Sequence, residues 1–215
     1  MNSKSKKLTT TAMLVAMAYM LMFISKVIPA VQGFLQYDAK EVVITIGGFI
    51  LGPLYALIIS LVVSLLELVT VSDTGIIGLV MNIISTATFA CTASFIYRRK
   101  KNLFGAFLSL GLATVAFTAV MLLWNYYITP LYMNIPRSVI VPMLPTVFMP
   151  FNLVKGLINS GFILFTYRPV VTALQKAKLV PANNVQKKVI SPALIAGLIL
   201  IVIFIPIILH MAKVI

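Results

Sequence analysis

Six long apolar stretches divide the chain, at about residues 8–28, 42–71, 76–97, 104–127, 147–167 and 190–212. Each matches or exceeds the roughly 20 residues that a helix needs to cross ~30 Å of hydrocarbon. A backbone in lipid must satisfy its own hydrogen bonds, so repeated runs of this kind specify a bundle of transmembrane helices. Composition agrees, since 61% of the 215 residues are hydrophobic and 10% are charged, with a mean hydropathy of +1.08, outside the range of soluble domains. The expected fold class is all-α, a polytopic membrane helix bundle. The basic start at Lys4, Lys6 and Lys7 leads into an apolar run with no small-residue cleavage site, so the first stretch reads as a retained helix.

The net charge of +13 could suggest nucleic acid in a soluble chain, but here the basic residues sit in short clusters between apolar segments. Such clusters are topology signals, and no nucleic-acid partner is expected. They also decide how to read 42–71. Gly52-Pro53 lies in the middle of that stretch, a pair that favours a turn and interrupts helical hydrogen bonding. With one crossing, Arg98-Arg99-Lys100-Lys101 would fall opposite the basic N-terminus. With two, these clusters and Arg168, Lys176, Lys178, Lys187 and Lys188 share the inner side, which collects twelve of the 17 Lys and Arg residues. The split gives seven spans, the N-terminus cytoplasmic, and a first half at 41–51 only about 17 Å long at ~1.5 Å per residue. That helix is expected to be short or tucked against its neighbours. The outer connections are then about 29–40, 72–75 and 128–146. The last carries Pro130, Pro136, Pro142 and Pro145 and reads as a long loop of the sort that covers a site. All four acidic residues, Asp38, Glu41, Glu67 and Asp73, lie at or near the outer side.

Charged groups within spans are costly and therefore candidates for function. Glu67 and Lys155 are the two expected here, both in the outer part. Asn82, Asn125 and Asn152 fall at the same depth, so five polar groups from four helices share one level. The plainer alternative is a Glu67–Lys155 ion pair with asparagines joining helices, but joining helices does not require a common depth. Asn152 and Lys155, spaced i, i+3, share a helix face. An amide offers a donor and an acceptor and an ammonium donors only, a set suited to a neutral hydroxyl-bearing or heterocyclic solute. Among the outer aromatics, Phe34, Trp124, Tyr126 and Tyr127 read as an interfacial belt. Tyr37, beside Asp38, and Tyr132 are the better candidates for stacking on a ligand. Ala12 and Ala16 form a small-xxx-small pattern that lets another helix approach, with internal packing the alternative. Cys91 is the sole cysteine and His210 the sole histidine, so neither a disulfide nor a metal site is expected. No G-x-x-x-x-G-K-[ST] or H-E-x-x-H motif is present, so an enzyme is not expected, and ATP-driven transport would need another chain to hydrolyse ATP.

The chain resembles the substrate-binding S components of energy-coupling factor vitamin transporters, and within them the riboflavin-specific type. The resemblance rests on Ala12-x-x-x-Ala16, on Tyr37-Asp38-Ala39-Lys40-Glu41-Val42, on Gly47-Gly48-Phe49-Ile50-Leu51-Gly52-Pro53, on Asn125-Tyr126-Tyr127 with Pro130-Leu131-Tyr132, and on Pro150-Phe151-Asn152-Leu153-Val154-Lys155-Gly156. It implies a six-helix core over 1–175 with an outward-facing vitamin pocket, a bacterial cell-membrane location, and partnership with a transmembrane coupling subunit and two cytosolic ATPases. It implies flavin contacts from Asn125, Asn152 and Lys155, and docking of Ala12 and Ala16 on the coupling subunit. Riboflavin would be a transported ligand, with no resident cofactor. Beyond the core, 176–189 reads as a basic cytoplasmic linker and 190–215 as an additional, seventh transmembrane helix that departs from the family pattern. Competing readings are the same kind of transporter for another vitamin or a flavin nucleotide, a membrane enzyme, and a non-transport membrane scaffold.

Overall fold

A computed structural model describes residues 3–31, 33–72, 74–179 and 190–211. Asp73, Lys187, Lys188 and most of the expected linker lie outside these residues. Among the described residues the chain is helical and has no strand. The helices are α1 (Ser3–Ser25), α2 (Lys40–Leu51), α3 (Pro53–Thr70), α4 (Gly75–Arg99), α5 (Leu103–Tyr127), α6 (Thr129–Met133), α7 (Arg137–Met143), α8 (Met149–Lys176) and α9 (Ile190–Met211). Six helical segments are long and apolar enough to cross a membrane, and α2 is not among them.

The split at Gly52-Pro53 is present. Gly52 sits at φ 109° and ψ 167°, a region essentially reserved for glycine, and Pro53 opens α3 where no intrahelical N–H is needed. The chain reverses beside Arg98, whose guanidinium lies against Gly52, so this turn and the second basic cluster share one end of the bundle. The reversal leaves α2 too short to cross alone. Its first nine residues, Lys40–Gly48, are all buried, and α1, α3, α4 and α8 surround it. Val42 and Ile46 join Phe89, Leu110, Phe117 and Ile163 in one core, while Val43 and Ile44 join Leu14, Ile59 and Val63 in another. The outer faces carry exposed apolar side chains such as Met13, Leu65, Val115 and Val202, as lipid-facing surfaces require.

One expectation changes. The stretch 128–146 is not an open loop: α6, α7 and a π-helical turn at Leu144–Phe148 fill it and lead directly into α8. Pro130 lies in the first turn of α6 and Pro136 precedes α7, where a missing N–H costs little. The widened turn carries Pro145. The last helix packs on the core, where α8 and α9 approach closely through Gly161 and Gly197. A Cβ on Gly197 would lie 2.7 Å from the Gly161 carbonyl oxygen, and one on Gly161 would lie 3.0 Å from the Gly197 carbonyl oxygen. Only glycine permits backbones this close. Above this crossing, Phe204 and Ile208 pack around Val31, Tyr37 and Ile158.

Candidate binding site

α2 begins inside the bundle, so its first turn carries charge into the core. Lys40 and Glu41 are each 1% exposed, a burial that demands partners. The Lys40 ammonium contacts the Asp38 carboxylate at 2.6 Å and the Glu67 carboxylate at 2.5 Å. Glu67, in the last turns of α3, also accepts from Asn82 at 3.0 Å and pairs with Lys26 at 3.4 Å. Lys26 in turn donates to Gln36 at 2.9 Å. On the other side of α2, Glu41 pairs with Lys155 of α8 at 3.0 Å and accepts from Asn159 at 2.7 Å. The Asn159 amide also donates to the Asp38 carbonyl at 3.4 Å, and its oxygen accepts from the Tyr37 hydroxyl at 2.8 Å. Lys155 lies 5.5 Å from the centre of the Phe117 ring, within range of cation–π attraction.

Three cations and three carboxylates therefore form one balanced array that ties the connection between α1 and α2 to α2, α3, α4 and α8. Burial pushes the Asp38 carboxyl up, but Lys40 and then Lys155 outweigh it and hold the group below the usual carboxylate range. Burial, followed by the Glu41 and Asp38 charges, pushes the Tyr37 phenol up, so it stays protonated and donates to Asn159.

The Glu67–Lys155 ion pair of the plainer alternative does not form. Glu67 belongs to Lys40 and Lys26, and Lys155 belongs to Glu41. The physical reason is α2, which stands between α3 and α8 and brings its own charge of each sign. Glu67 and Asn82 do meet, and Tyr37 and Asp38 join the array. Asn125 and Asn152 are buried but bond only to residues close to them in the chain. Asn125 donates to the Met121 carbonyl at 2.7 Å and accepts from Thr129 at 2.9 Å, while Asn152 donates to the Phe148 carbonyl at 2.7 Å. Tyr132 is 42% exposed, and none of the hydrogen bonds, ion pairs or ring contacts described above brings it to the array. Ala12 and Ala16 lie exposed on α1, alongside Met13, Met17 and Met20. Tyr126 and Tyr127 pack edge to face beneath Arg137, which suits an interfacial anchor.

Lys26, Lys40, Glu41 and Asn159 were not among the expected site residues. Asn159 carried a signal, since Asn152, Lys155 and Asn159 at i, i+3 and i+7 mark one helical face. Lys40 read as the last residue of an outer connection and Glu41 as the first of a span. A separate apolar cavity of about 680 Å³ shares Tyr37 and Ile158 with this region, but Asn125, Asn152 and Lys155 do not line it.

Residues 6–171 match the family described as ECF transporter, substrate-specific component. The chain is 30% identical over 181 residues to the riboflavin transporter RibU of Staphylococcus aureus (strain TCH60), covering 80% of this chain and 94% of that protein. It is 29% identical to the riboflavin transporter FmnP of Bacillus subtilis (strain 168) over 72% of this chain and 86% of that one. A solved structure of the S component of a bacterial ECF transporter superposes with a TM-score of 0.68 at 31% identity, covering 80% of this chain and 99% of that chain.

Proposed function

The chain belongs to the substrate-specific components of ECF transporters, and from that premise we propose that it binds riboflavin in an outward-facing pocket and delivers it to an ATP-driven import complex. The observation that carries this reading is the near full-length likeness to proteins named riboflavin transporters. Asn125, Asn152 and Lys155 hold the polar edge of the flavin, with Tyr37, Asp38, Glu67, Asn82 and Tyr132 as the surrounding candidates. In the structure both asparagine amides donate to carbonyls four residues earlier in the chain, and a side-chain rotation exchanges those bonds for bonds to a ligand. Apolar and aromatic neighbours such as Phe117 and Phe148 supply the surface that a flat ring needs.

Charge balance favours the neutral vitamin over its phosphate. Lys155 is already matched by Glu41, and Lys40 and Lys26 by Asp38 and Glu67. A phosphate placed here meets three carboxylates with no uncommitted cation in the array, and such a mismatch costs several kcal/mol in a desolvated site. A cytoplasmic N-terminus is the orientation that the clustering of most lysines and arginines on one side supports. Ala12 and Ala16 form the open surface on which the coupling subunit docks, and two cytosolic ATPases supply the hydrolysis for which this chain carries no nucleotide-binding loop.

Detergent-purified protein is expected to be yellow, or after stripping to quench riboflavin fluorescence stoichiometrically and at least ten times more tightly than flavin mononucleotide. Failure to bind riboflavin while another vitamin binds would replace the substrate, and failure to bind any vitamin would leave the scaffold reading.

A further inference from the structure

We propose that the lateral cavity between α1, α2, α8 and α9 is a binding site for one acyl chain of a bilayer phospholipid. This site adjoins the proposed vitamin pocket at Tyr37 alone, and its fourth wall, α9, lies outside the residues that match the family.

The cavity holds about 680 Å³, within the ~300–1,000 Å³ range of ligand sites. Leu21 and Ile24 of α1, Val43 of α2, Ile158 and Phe162 of α8 and Ile205 of α9 form its walls. Three lining side chains carry a polar atom, and each is already engaged. The Ser25 hydroxyl donates to the Leu21 carbonyl and accepts from the Ala39 N–H. The Tyr37 hydroxyl donates to Asn159, and the Thr166 hydroxyl donates to the Phe162 carbonyl.

Ordered water needs two to four polar partners and finds none to spare here. A void of this size is not left empty either, because the lining atoms lose their dispersion contacts. The medium that surrounds these helices consists of hydrocarbon chains, and the cavity opens toward it. Ile24 and Val27 at the rim are 64% and 84% exposed, and the two outer walls, α1 and α9, barely touch. The adjoining cation, Lys26, is committed to Glu67 and Gln36, so the chain rather than the headgroup supplies the binding. The site accepts zwitterionic and anionic phospholipids alike.

The test uses the full chain in nanodiscs of phosphatidylethanolamine and phosphatidylglycerol, with a trace of one or the other carrying a diazirine near the end of one acyl chain. After irradiation, adducts are mapped by peptide mass spectrometry. Labelling is expected at Val43 and Ile158, which are 3% and 1% exposed and out of reach of bulk lipid, to a similar extent with either headgroup. Ile205→Trp, which fills the cavity, should reduce that labelling at least fivefold while leaving adducts on the lipid-facing Val202 unchanged. Val170→Phe, at another lining position, provides the same comparison if the first variant does not fold. Saturating riboflavin should not displace the label. No labelling at Val43 and Ile158, labelling insensitive to filling, labelling with the anionic lipid only, or displacement by riboflavin would each overturn the proposal.

Discussion

At the scale of single residues, burial sets the cost of disturbing the charged array, since removing one partner of a buried pair typically costs about 3–5 kcal/mol because the other charge is stranded. Glu41→Ala strands Lys155 and removes an acceptor from Asn159, and should lower thermal stability by that order. Counting residues from span ends could single out Glu67 and Lys155 as charges within the bundle, but which charge met which depended on α2 standing between α3 and α8, and no local pattern encodes that. The pairwise change Glu41→Met with Lys155→Met should recover much of the loss, as a denaturation series would show. Lys155→Ala and Asn152→Ala should instead be read by riboflavin titration, each weakening binding about tenfold or more, ~1.4 kcal/mol per decade. Asn125→Ala should behave likewise. Unchanged affinity in all three would remove the proposed site while leaving the fold untouched.

Elements were legible where a residue has a single conformational use. Gly52-Pro53 marked a reversal because proline cannot continue a helical ladder and glycine alone tolerates the backbone angles found there. Gly52→Ala should cost about 1–3 kcal/mol and disturb the Arg98 side chain packed on the turn, measurable as a drop in melting temperature with vitamin affinity largely retained. The helical character of 128–146 was hidden, because four prolines suggest a loop until two of them prove to occupy first-turn or preceding positions. The close packing of α9 was hidden for another reason. Glycines in distant apolar stretches are common, and only the fold shows that Gly161 and Gly197 face each other. Gly197→Leu should force α9 away from α8 and raise protease sensitivity of the last helix, while Gly197→Ala should do so less.

For the whole molecule, the membrane class, the all-helical fold and the family could be read before any coordinates, because composition and span lengths are properties of the entire chain. Partner contacts belong to this scale too. Ala12 and Ala16 stay exposed although a further helix has been added, since α9 packs on α8. Ala12→Trp should therefore leave riboflavin affinity unchanged yet reduce uptake severalfold in cells that supply the coupling subunit and ATPases; normal uptake would exclude that face as the docking surface. The short, enclosed α2 has a consequence for how this protein tolerates change. Along the lipid-facing helices any apolar residue serves the same solvent, so variation there should be permissive in size and strict in polarity. Along α2, Val42, Val43 and Ile46 border the cavity, but Ile44, Thr45, Gly47 and Gly48 meet other side chains at close quarters, at the near-crystalline density of a protein interior. A saturation library selected for vitamin uptake should show the opposite rule there, with changes of a single methylene penalised as in the interior of a water-soluble domain.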